Sequence, residues 1–274
     1  MTGLLAALED THGFDLRQCE YFVGTSAGSI VAAKILSGRR LQRPNRGALA
    51  PATVGADSTG PAPLQNWAVN SAMALAAPFA RLGLRFGTLP GEIARSATLK
   101  LLPVSAGDAL DFGGSFPPES IRFDGRLRVV AVERRSGKRV VFGSPGAPHA
   151  TVVQALTASC SLPLVFPPTV IAGREYVDGA IWSTTNLDIA PARRDAQVLI
   201  VAPMTGLHGP FNAAVRAAAR AALLLEASAM KTRGARTRII SPDRDAARSI
   251  GPDLMSNANL ERTHAAGYAQ GLGL

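Results

Sequence analysis

The sequence predicts an α/β fold with a mostly parallel central sheet, and three observations carry this prediction. Runs typical of buried strands alternate along the chain with runs typical of helices. Of the residues, 47% are hydrophobic and 18% are charged, so the chain can bury a core and is not disordered. Two cysteines in 274 residues exclude a disulfide framework, and no Cys/His cluster has the spacing of a metal site. Without an internal repeat or a clear boundary, we expect a single domain over residues 1–274.

The first 38 residues predict the order strand, tight turn, helix. Residues 3–10 have the pattern of a helix that is broken near Gly13, and residues 19–23 have the pattern of a short buried strand. Residues 24–29 (Gly-Thr-Ser-Ala-Gly-Ser) form the glycine turn, and residues 30–36 predict a helix that ends at a glycine.

Residues 39–90 predict an excursion from the domain. Residues 39–65 are rich in Arg, Pro, Gly, Ala and Ser without periodicity, and residues 67–84 return to an apolar, helical pattern that Pro78 interrupts. Two interpretations stay open for this segment: a lid, or a surface loop followed by a core helix.

The second half of the chain continues the alternation. Residues 126–132 and 140–142 flank a Ser-Gly turn and predict a hairpin, and residues 170–171 and 175–177 predict a smaller β pair. The remaining predicted elements are helices at 152–161 and 212–230 and strands at 198–201 and 237–240.

The turn around Ser26 is the sharpest chemical feature. Gly24-x-Ser26-x-Gly28 follows a strand pattern and opens a helix, which is typical of a nucleophile held on a tight turn. We expect a Cβ at either glycine to clash with neighbouring backbone. The helix N-terminus would stabilise negative charge that develops beside the hydroxyl. The alternatives are a glycine turn with an exposed serine, or a phosphate-binding loop.

A serine nucleophile needs a base, and Asp178 is the preferred candidate. It ends a strand pattern and is followed by Gly179, so its carboxylate could take the Ser26 proton directly. A hairpin turn at this Asp-Gly pair is the alternative. A Ser–His–Asp triad with His208 or His264 is disfavoured, because at most one strand precedes the serine.

These motifs together resemble the patatin-like phospholipases. The likeness runs from about residue 3 to 205 and is carried by residues 24–29, 158–168, 173–179 and 186–188. It implies a three-layer α/β/α sandwich with a mainly parallel central sheet, and hydrolysis of ester bonds in phospholipids or other acyl lipids through an acyl-enzyme, without metal or organic cofactor. The implied site comprises Ser26 as nucleophile, Asp178 as general base, and the motif glycines Gly24, Gly28 and Gly179.

The chain departs from that family in one respect. The glycine-rich loop that forms the family's oxyanion hole, and the first strand before it, have no counterpart in these residues. We expect them to lie upstream of Met1, in a protein whose true start is earlier. The alternative is a degenerate member that binds lipid without turnover.

The net charge of +9 favours an anionic partner. The basic residues are scattered and few aromatics stand among them, so we do not expect nucleic-acid binding. No apolar run approaches the ~20 residues of a spanning helix, and the N-terminus lacks the pattern of a signal peptide. We therefore expect a cytoplasmic protein, with a peripheral contact with anionic membrane as its route to lipid.

Overall fold

The computed structural model describes residues 1–13, 15–45, 89–105, 107–108, 110, 121–191, 193–208, 213–250 and 259–274. The helices are α1 (Thr2–His12), α2 (Ala27–Leu36), α3 (Leu89–Leu101), α4 (Val152–Cys160), α5 (Ala213–Thr232), α6 (Arg244–Ile250) and α7 (Leu260–Leu272). The strands are β1 (Phe22–Thr25), β2 (Leu127–Glu133), β3 (Arg139–Phe142), β4 (Thr169–Ile171), β5 (Arg174–Asp178), β6 (Gln197–Val201) and β7 (Arg236–Ile240).

The strands form a mixed five-stranded sheet and a parallel pair. In the larger sheet β1 is parallel to β2, whereas β3 and β5 are antiparallel to β2 and β4 is antiparallel to β5. Strands β6 and β7 pair in parallel. The α/β class is therefore confirmed, and within the part of the chain that the structure describes the parallel pairs are β1–β2 and β6–β7.

Alternation along β2 explains the layers. Leu127, Val129 and Ala131 share one cluster with buried residues of α2 and α4. Val132 joins a second cluster with Leu99 of α3. Because successive side chains of a strand point to opposite faces, helices cover both faces of the sheet. This is the three-layer α/β/α arrangement.

Most predicted elements are present, and their bounds differ where turns intervene. The first strand begins at Phe22 and not at residue 19. Residues 16–18 form a 3₁₀ turn instead, which ends with a hydrogen bond from the Cys19 N–H to the Leu16 carbonyl. The backbone then enters the ladder where the Phe22 N–H donates to the carbonyl of Arg126. The helix predicted over residues 67–84, and most of the excursion, lie outside the described residues.

Three helices, α3, α6 and α7, were not predicted from the sequence. In α7 the buried positions are mostly small, and a Cβ on Gly271 would lie 2.6 Å from the Cβ of Ala7. The contact between α7 and α1 is thus made by close backbone approach, which leaves no stripe of large apolar residues to detect. No helix among the described residues is long and apolar enough to cross a membrane.

Candidate active site

The topology brings Ser26 and Asp178 to the same edge of β2. Thr25 of β1 pairs with Val130, and Asp178 of β5 pairs with Ala131, the next residue along β2. Strand β3 occupies the opposite edge of β2 at these positions. Strands β1 and β5 therefore run towards each other along one edge, and their carboxyl ends meet there.

Ser26 sits on a strained turn between β1 and α2. Its backbone has φ 52° and ψ −130°, a conformation that non-glycine residues rarely adopt. Its N–H donates to the Ser159 hydroxyl at 2.9 Å, and that hydroxyl donates to the carbonyl of Val130 at 2.7 Å. The buried Ser159 side chain thus links the strained turn to β2.

The two glycines of the turn differ in what they do. A Cβ on Gly24 would lie 2.3 Å from the Cα of Ser29, so β1 and α2 approach as closely as only glycine allows. A Cβ on Gly28 would meet no described atom within 4 Å. The expected clash is therefore found at Gly24, and its extension to Gly28 was wrong, because Gly28 faces the cavity described below.

These two glycines make a matched pair for mutation. Gly24→Ala should destabilise the protein by about 3 kcal/mol, because backbone atoms of Ser29 must move to admit the methyl group. Gly28→Ala should leave the free energy of unfolding unchanged or slightly raised, because alanine favours helix. Urea unfolding of both variants measures the difference; equal stabilities would contradict the packing account.

Asp178 is 1% exposed, and its surroundings perturb its titration. Burial raises the pKa of this carboxyl to about 7, while hydrogen bonds from the Ala180 N–H and the Ser26 hydroxyl oppose the rise. The Ala180 N–H lies 2.8 Å from Oδ1. A Cβ on Gly179 would lie 2.4 Å from the Val130 carbonyl oxygen, so glycine is needed there to bring the loop against β2.

Both side chains border a cavity of about 1470 Å³ with mostly apolar walls. Strand β1 lines it from the larger sheet, strand β6 lines it from the parallel pair, and α1 and α2 contribute Leu5, Leu8 and Val31. Such walls suit an apolar ligand, and Ser26 and Asp178 contribute polar groups to them.

The histidines of the alternative triad lie elsewhere. The described lining of the cavity includes neither His208, which is exposed, nor His264 in α7. Cys160 faces the hydroxyls of Ser26 and Ser29, but burial raises the pKa of its thiol far above the ordinary range. Its thiol therefore stays protonated and unreactive.

Sequence reasoning assigned no role to two further residues of the site. Ser159 holds the Ser26 backbone, and the Asn186 side chain contacts Thr25 and Gly179. Both lie in segments that carry the family likeness, residues 158–168 and 186–188, but the likeness gave neither of them a role. The hydrogen bonds that bring them to the site come from residues distant in sequence, which pattern does not show.

Comparison with known proteins identifies a family for this chain. None of the curated proteins matches the chain. A family model described as patatin-like phospholipase matches residues 1–191, a range that contains both the Ser26 turn and the Asp178 loop. Since that match covers well over half of the 274 residues, the chain belongs to the patatin-like phospholipase family.

Proposed function

We propose that this protein hydrolyses ester bonds of phospholipids or other acyl lipids with Ser26 as nucleophile and Asp178 as general base. Family membership supports a lipid acyl hydrolase in general. The observation that carries the finer proposal is the meeting of these two side chains at one edge of β2, beside an apolar cavity.

The mechanism follows from the two groups. The Ser26 hydroxyl attacks the ester carbonyl while Asp178 accepts its proton, and the proton passes to the leaving alcohol as the acyl-enzyme forms. Water then attacks the acyl-enzyme with Asp178 again as base, releasing the fatty acid and restoring the serine. A carboxyl with a pKa of about 7 suits both roles, because it can accept and return a proton near neutral pH.

The N-terminus of α2 supports the charged intermediate. Ala27 and Gly28 belong to the first turn of this helix, where backbone N–H groups have no acceptor within the helix, and both residues border the cavity. Together with the positive end of the helix dipole, these groups would stabilise the oxyanion that forms next to Ser26.

A fluorophosphonate probe tests the proposal, because it bonds covalently to activated serines. Peptide mass spectrometry should find the adduct on Ser26, and the same preparation should hydrolyse a fluorogenic short-chain ester and phosphatidylcholine vesicles. His208→Ala and Ser37→Ala should keep both labelling and hydrolysis, because neither residue borders the described cavity.

Three other results would be decisive. An adduct on a different serine would contradict the nucleophile assignment. Loss of activity in His208→Ala would favour a Ser–His–Asp esterase. Absence of labelling and turnover in the native chain would favour a lipid-binding protein without catalysis.

A further inference from the structure

We infer that Asn186 is a positioning residue that holds the two sides of the candidate dyad together, an inference that rests on the proposed function. Within the described residues, β1 and β5 each pair with β2 but not with each other. The ladder therefore sets where each strand lies along β2, and a further contact is needed to fix the spacing between their ends.

The Asn186 side chain contacts both strand ends. The Asn186 amide nitrogen donates to the Thr25 hydroxyl at 3.0 Å and approaches the Gly179 carbonyl oxygen at 3.4 Å. Thr25 immediately precedes Ser26, and Gly179 immediately follows Asp178. The asparagine is fully buried, so water does not compete for these bonds.

The surroundings decide which way the amide points. Its oxygen accepts from Nη1 of Arg139 at 3.2 Å, whereas its nitrogen faces the carbonyl oxygens of Gly179 and Ser183. A reversed amide would place oxygen against both carbonyls and nitrogen against a guanidinium. The observed orientation is thus the one in which the amide oxygen faces a donor and the amide nitrogen faces acceptors.

The loop that carries Asn186 is itself anchored. The Asn186 backbone is left-handed, with φ 48°, a conformation that asparagine tolerates better than most residues. The buried Glu226 carboxylate accepts from the Leu187 N–H at 2.9 Å and from the Thr185 hydroxyl at 2.7 Å. Asp188 forms a bidentate ion pair with Arg139. Because these bonds hold the loop in place, the Asn186 side chain keeps a fixed position against the ends of β1 and β5.

The amide reaches Ser26 and Asp178 only through their neighbours, so it acts on geometry and not on substrate binding. Without it, one of the contacts that fix the separation of the hydroxyl and the carboxylate would be lost, and proton transfer depends steeply on that separation. The expected signature is a fall in kcat with little change in KM.

Asn186→Gly is the informative variant, because glycine keeps the left-handed backbone and removes the side chain with its amide. We expect kcat for a short-chain ester to fall about 10- to 100-fold, KM to stay within about 2-fold, and fluorophosphonate labelling of Ser26 to slow in parallel with kcat. Ala172→Gly is the matched control: Ala172 is left-handed too, with φ 49°, and it lies in the exposed β4–β5 turn.

Thr25→Val supplies a second arm, because it removes the hydroxyl that receives the amide and keeps the shape. If Asn186 acts through Thr25, the double variant should be about as slow as Asn186→Gly alone. Fold losses that multiply would overturn the connection through Thr25.

The experiment distinguishes failure of the positioning role of Asn186 from failure of the proposed hydrolase function. An active native protein with an Asn186→Gly variant of unchanged kcat would overturn the positioning role alone. A kcat loss that disappears at lower temperature, together with a lowered melting temperature, would also overturn it, because that pattern indicates general destabilisation. Absence of turnover and labelling in the native protein would refute the proposed function and the positioning role with it.

Discussion

Ser26→Ala is expected to lower kcat for a short-chain fluorogenic ester by about 10⁴-fold or more, because it removes the atom that bonds to the acyl group. The cavity and the N-terminus of α2 remain, so KM should change little. Steady-state kinetics with the purified variant give both numbers, and labelling by the fluorophosphonate probe should vanish.

Stability measurements test whether the loss of activity comes from unfolding instead of from the missing hydroxyl. The strained backbone at φ 52° stays with alanine, and the bond from the residue's N–H to Ser159 is kept, so the melting temperature should shift little. Ser37→Ala is the matched control: its hydroxyl donates only to the Lys34 carbonyl near the end of α2. Retention of activity in Ser26→Ala would refute the proposed mechanism.

Asp178→Asn should have the second large effect, with kcat reduced by about 10³- to 10⁴-fold. An amide can still accept the Ala180 N–H, so the loop geometry is preserved. It cannot take the Ser26 proton, however, so the hydroxyl remains a weak nucleophile. The same assay measures the loss, and Asp124→Asn, on an exposed ion pair with Arg126, is the control that should keep full activity.

The titration of Asp178 predicts the pH dependence of activity. Only the ionised carboxylate can act as base, so kcat/KM should rise with pH and reach half of its limit near the raised pKa of about 7. A midpoint near the ordinary aspartate value of 3.8 would contradict the buried, raised carboxyl.

The free energy of unfolding should fall as pH rises, whereas kcat/KM should increase. The folded protein holds the Asp178 proton more tightly than the unfolded chain, whose pKa is near 3.8, so this stabilising contribution is present at acid pH and is lost as pH rises through about 7. Asp178→Asn has no carboxyl to ionise at this position, so the variant does not lose stability there as pH rises. We expect a melting temperature raised by roughly 4–8 °C at pH 8, from a gain on the order of 2 kcal/mol, and a smaller rise at pH 5.

The local sequence pattern was sufficient to predict the elements that carry the candidate nucleophile. The run of apolar residues before Gly24, the short glycine turn and the helix ending near Gly38 are all decided by neighbours in sequence, and the structure has them in that order. The β hairpin and the Asp178 strand were predictable for the same reason. Helix α7 was not, because two of its three buried residues, Ala265 and Gly271, are small, and Gly271 packs directly against Ala7 of α1.

The amino-acid sequence by itself determined the α/β class, the family likeness and the two candidate side chains, because each depends on residues close together in the chain. Only the tertiary structure decided that these side chains meet, since strands 150 residues apart must end at adjacent positions, Val130 and Ala131, of a third strand. It also decided the hydrogen bonds of Ser159 and Asn186 and the raised pKa of Asp178, because hydrogen bonds and burial at this site come from groups that folding alone brings together.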